Sequence, residues 1–142
     1  MRCVMVPLVL AAMGLALAGC GKLGAKKTGP GLVDKGPFAG PLNAAGETPT
    51  WSLRIRDQAL FFTGPDTQIV QFPNAGAEVS SDQAMWSATA KDGKTLKVTL
   101  AAKTCKDEAT TIAYPMTAEV KAGDQTLTGC ATKAGEGLGS RE

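Results

Sequence analysis

The chain has 142 residues, a formal net charge of +2, 20% charged residues and no histidine. That length allows one ordinary domain, and the missing imidazole removes the commonest general base and the commonest transition-metal ligand. Its basic residues form no face interleaved with aromatics, which argues against a nucleic-acid partner.

Arg2 gives a short positive start, and Val4 to Leu17 is an apolar run broken only by Pro7, Gly14 and small alanines. Fourteen helical residues cover ~21 Å, short of the ~30 Å hydrocarbon core, so the run reads as a signal-peptide h-region and not a membrane span. It ends in Leu17-Ala18-Gly19-Cys20, a lipobox. Small residues at 18 and 19 admit a peptidase to the backbone, and the Cys20 thiol accepts a diacylglycerol. Residues 1–19 are therefore expected to be a lipoprotein signal peptide, and Cys20 the lipidation site. Two or more acyl chains anchor a protein stably without a transmembrane helix. Gly21 follows the cysteine and no aspartate stands there; in this the chain resembles sorted lipoproteins of Gram-negative bacteria, a resemblance that implies the outer membrane, facing the periplasm.

Residues 20–46 are rich in Gly, Pro and Lys without apolar periodicity and are expected to be a flexible tether. Residues 1–43 carry net +4 and the remainder net −2. The tether lysines would be attracted to anionic headgroups or would serve only solubility.

A β domain is expected over residues 47–134. Trp51, Leu53 and Ile55 alternate with Ser52, Arg54 and Arg56, the period-two signature of a half-buried strand. Ala59 to Thr63 is a second strand, stopped by Gly64-Pro65, and Ile69 to Phe72 a third, ended by Pro73. Asn74 to Asp82 reads as turn-rich. Met85 to Ala90 is a fourth strand, and Asp92-Gly93 a strong hairpin signal. Leu96, Val98 and Leu100 share one face of a fifth strand. Cys105 to Ala113 reads as a polar loop, Tyr114 to Lys121 as a sixth strand, and Gln125 to Ala131 as a seventh after the Gly123-Asp124 turn. Residues 135–142 look like a disordered tail. About seven short strands with tight turns imply an all-β fold, a small antiparallel β-barrel or β-sandwich.

Of the four cysteines, Cys3 would leave with the signal peptide and Cys20 would be acylated, so Cys105 and Cys130 remain. In an oxidising periplasm they are expected to form one structural disulfide. A metal site is disfavoured without histidine, and redox work usually needs C-x-x-C spacing.

Gly46-Glu47-Thr48-Pro49-Thr50-Trp51-Ser52 resembles the G-N-E-P-F-W-S opening of an uncharacterised family of bacterial envelope lipoproteins. Cys105-Lys106-Asp107 resembles its C-x-D element, Tyr114-Pro115-Met116-Thr117-Ala118 its Y-P-x-T-A strand and Gly129-Cys130-Ala131 its closing G-C element. The landmarks run in order over roughly residues 44–134. Thr50 replaces a Phe, Thr48 interrupts the E-P pair, and Glu108-Ala109-Thr110 replaces a G-M-S stretch. The resemblance implies fold, disulfide and envelope location, and no reaction.

No nucleophile elbow, phosphate-cradling glycine loop or metal-binding motif is present, so neither an enzyme nor a bound cofactor is expected. The expected partners are the lipid bilayer, through acylated Cys20, and an envelope protein. Trp51, Asp107 and Tyr114 are the candidate binding surface, with the core as the favoured assignment for Trp51 and Tyr114. The functional expectation is a non-catalytic binding or accessory envelope lipoprotein. Alternatives are an inhibitor of an envelope-targeting enzyme such as lysozyme and a structural or stress-response lipoprotein without a specific ligand.

Overall fold

The structure, a computed structural model, describes residues 26–107 and 111–138. The expected signal peptide, Cys20, Glu108-Ala109-Thr110 and residues 139–142 lie outside the described residues.

The strands are β1 (Lys26–Lys27), β2 (Leu42–Glu47), β3 (Thr50–Ile55), β4 (Ala59–Thr63), β5 (Ile69–Pro73) and β6 (Glu78–Val79). The second half adds β7 (Gln83–Thr89), β8 (Thr95–Ala101), β9 (Cys105–Lys106), β10 (Ala113–Tyr114), β11 (Met116–Ala122) and β12 (Gln125–Lys133). Ten of them form one sheet in the order β1-β6-β7-β8-β11-β12-β2-β3-β4-β5, antiparallel throughout, and β9 and β10 form a separate two-stranded hairpin. The sheet curls into a half-barrel, so the all-β expectation holds and the architecture is barrel-like.

Alternation makes the curl work, because each strand sends every second side chain inward. Trp86, Val98, Val120 and Leu127 stand in one row across β7, β8, β11 and β12. Leu42, Ile55, Leu60 and Phe72 make the matching row across β2 to β5. All eight are buried in one core cluster. The outer positions of the same strands carry Thr, Lys, Glu, Arg and Ser, which keep that face wet. There Arg54 lies over the Phe61 ring at 5.3 Å, a cation–π contact on an outer row.

The β7–β8 turn follows its sequence signal. Gly93 takes φ +86°, where glycine has no Cβ to clash, and Ala90 N–H donates to Lys94 O at 2.8 Å. The two free sides of the sheet approach where β5 meets β7. The segment leaving β5 is fixed on the β3–β4 turn: Asn74 donates through Nδ2 to Arg56 O at 2.8 Å and through its main-chain N–H to Gln58 O at 3.1 Å. Asn74 is buried with both bonds made, so its burial avoids the penalty of an unpaired amide. The indole N–H of buried Trp86, by contrast, has no hydrogen-bond partner.

The largest correction concerns the expected tether. Residues 26–46 belong to the fold: β1 pairs with β6, and β2 lies between β12 and β3 in the middle of the sheet. Val33 and Phe38, from the connection between them, join the core, and Phe38 is fully buried. The domain boundary at residue 47 is therefore too late. Two turn or loop expectations also gain short strands, β6 within Asn74–Asp82 and the β9–β10 hairpin around the Cys105 loop. The expected tail is folded through Leu138: Glu136 N–H donates to Lys133 O at 3.1 Å, and Leu138 lines a groove described below. Lys133 donates to Ala39 O, and burial holds its pKa below the ordinary lysine value, partly opposed by the nearby Glu136 charge.

Candidate functional site

The disulfide is formed. Cys105 and Cys130 have Cα atoms 5.5 Å apart and close a loop of sequence separation 25. Cys130 points outward from β12, so the bond pins the β9–β10 hairpin onto the outer face of the sheet. The hairpin is closed further by main-chain bonds. Asp107 N–H donates to Ile112 O at 3.0 Å, and Thr111 N–H to Asp107 O at 2.9 Å.

Beside this pinned hairpin lies a groove of about 810 Å³. Its floor is the outer face of β8, β11, β12 and β2. One register row supplies Thr99, Glu119 and Thr128, and the next supplies Gln83, Ala101, Thr117, Cys130 and Ala45. Glu47 and Thr48 form one rim, Lys106 and Asp107 the other. Hydroxyls, an amide, carboxylates and the Lys106 ammonium thus share a shallow surface with alanines, glycines and Leu138, chemistry that suits a partner offering both hydrogen bonds and apolar contact. Three metal-ligating side chains do not converge among the described residues.

The three residues expected on a binding surface separate here. Asp107 lines the groove and is half-buried. Trp51 does not line it: the side chain is 2% exposed and belongs to the core. Its Nε1 donates to Thr128 O at 3.1 Å, across 77 residues of sequence, and its ring packs against Phe62 at 6.5 Å between centroids. This reach requires bare backbone on the intervening strand. A Cβ on Gly46 would stand 2.3 Å from Trp51 Nε1, and one on Gly129 would stand 2.0 Å from Ala45 O. Tyr114 is also buried, paired with Cys105 in the hairpin, and Gly137 packs near its ring. For both aromatics the favoured core assignment therefore holds, and neither is a contact residue. An indole or phenol sinks its apolar body inward and needs only one polar partner.

Sequence reasoning did not single out Glu119, Thr99, Thr128, Gln83 or Glu47. The signal was present in the outward positions of alternating strands, but which strands are neighbours is set by topology. Comparison with known proteins returns no match among protein families, curated proteins or solved structures.

Proposed function

We propose that this chain is a lipoprotein of the bacterial envelope, anchored through acylated Cys20, whose β domain is a non-catalytic binding module. The anchor rests on the L-A-G-C lipobox closing an apolar run at residues 17–20. The binding role rests on one observation: a groove of about 810 Å³, lined by polar and apolar groups together, whose wall is a hairpin held by a disulfide. A wall fixed before encounter costs less ordering when a partner seats. The absence of histidine supports the non-catalytic reading. The ordered landmarks between residues 46 and 131 support kinship with the envelope lipoprotein family they resemble.

The anchor is tested by fractionation. Cys20→Ala either releases the protein into the soluble periplasm or leaves it as an unprocessed precursor. A mutant retained like the wild type as processed protein defeats the anchor. The groove is tested with immobilised mature chain carrying Cys20→Ala, offered envelope fractions with and without Glu119→Arg. A partner captured at least ten-fold less by the arginine variant supports the groove. Equal capture by both moves the contact elsewhere, and no capture by either removes the support for a tight partner.

A further inference from the structure

We infer that the β1 corner of the domain is the side that lies on the membrane, with Lys26, Lys27 and Lys103 set against anionic lipid headgroups. This rests on the Cys20 anchor proposed above, and it follows from where the folded part of the chain begins.

Only residues 21–25 separate Cys20 from Lys26. Six residues, even fully extended, reach at most about 22 Å. From Lys26 onward the chain is fixed. Lys26 pairs with Val79 and Lys27 with Glu78, while Thr28 bonds Ala77 through both its main chain and its hydroxyl. The anchor can therefore lie no farther than about 22 Å from Lys26, where a tether through residue 46 would have left the domain's orientation free.

Lys26 stands at a corner. Antiparallel pairing carries Lys26 toward the turn that leads from β6 into β7, where Ser80 N–H donates to Gln83 O at 2.8 Å. Asp82 O accepts from Ala102 N–H at 2.8 Å, which brings the turn after β8, with Lys103, to the same corner. Lys26, Lys27 and Lys103 are exposed, and Glu78 and Asp82 stand among them, leaving an excess of one positive charge. Lysine stems are long enough to carry their ammonium groups beyond these shorter acids toward a surface. Each lysine held near an anionic bilayer favours the bound orientation by about five-fold.

The orientation also places the groove. Gln83 and Ala101 face each other across β7 and β8 at this corner, and both line it. The Gln83–Ala101 end of the groove floor thus stands near the bilayer surface, and its partner is met there. A different role for these lysines is to blunt an open sheet edge against pairing with another chain. That role has no dependence on lipid.

The experiment uses the full mature chain with its natural acylation, placed in vesicles of phosphatidylethanolamine with phosphatidylglycerol or of phosphatidylcholine alone. An intact mass first establishes diacylglyceryl on Cys20. Lysine acetylation rates are then read by mass spectrometry. Lys26, Lys27 and Lys103 should label about five-fold more slowly on the anionic vesicles than on the neutral ones. Lys97 and Lys121, paired on an outer row nearer the opposite end of their strands, should label alike on both. Equal rates for the first three lysines on both vesicles, with Cys20 acylated, overturn the inference, as does uniform slowing of all five. An unmodified Cys20 mass defeats the anchor itself, a distinguishable failure.

Discussion

Replacing Cys105 or Cys130 by serine lowers the melting temperature by on the order of 15 °C. The disulfide closes a loop of sequence separation 25, which corresponds to about 3.5 kcal/mol of lost chain entropy in the unfolded state. For a domain of this size each kcal/mol moves the midpoint by roughly 4 °C. Native interactions alone hold the hairpin weakly, since β9 and β10 have two residues each and form their own small sheet. The serine variants should therefore lose the groove wall before they lose the barrel. Differential scanning calorimetry reads the first effect, and faster amide exchange at Lys106 and Tyr114 than at Val98 reads the second. Wild-type melting curves for both variants would show that the hairpin stays seated without the bond.

Trp51→Ala destabilises the domain by about 3–5 kcal/mol, the range for removing a large buried aromatic. Trp51→Phe costs less, roughly 1–3 kcal/mol, because a ring remains while Thr128 O loses its donor. The pair of variants separates two roles that the sequence left open. A contact residue would lose binding while keeping wild-type stability. The buried Trp51 loses stability first, and urea midpoints read the difference directly. A Trp51→Ala midpoint equal to the wild type would contradict the placement of this side chain in the core. The effect is large because separated positions are matched to one another: Gly46 leaves the space that the indole crosses, and Gly129 lets the backbone of the neighbouring strand approach closely at Ala45.

Strongly alternating segments were legible from sequence. Those containing Trp51 to Ile55, Leu96 to Leu100 and Met116 to Val120 became β3, β8 and β11, because period-two apolarity fits only a sheet with one buried face. β2 was not legible, since Leu42-Asn43-Ala44-Ala45-Gly46-Glu47 is built from small and polar residues with weak strand preference. A central strand tolerates that composition where its neighbours supply the bulk, as Leu53, Ile55 and Trp51 do beside it. Phe38 was hidden for a related reason: a lone aromatic among Gly and Pro has no periodicity to report it. At the site, the disulfide was readable from cysteine count and compartment, and Asp107 lies where the loop suggested. The groove floor was not readable. Glu119 and Thr128 meet through pairing of β11 with β12, and the rim residue Glu47 joins them only because β2 returns beside β12.

The neighbouring positions of β2 and β12 also govern when this protein can fold. The strand nearest the start of the sheet's main meander is completed by the last strand in the chain. Until residues 125–133 are available, β2 to β5 have an open edge, and Trp51 lacks the acceptor it uses 77 residues downstream. Contacts of such separation form late, after the entropy of closing a long loop has been overcome. Under the export proposed above, a chain led by its N-terminus would pass the membrane before its fold could close. The topology itself keeps the polypeptide threadable until its C-terminal strand has followed.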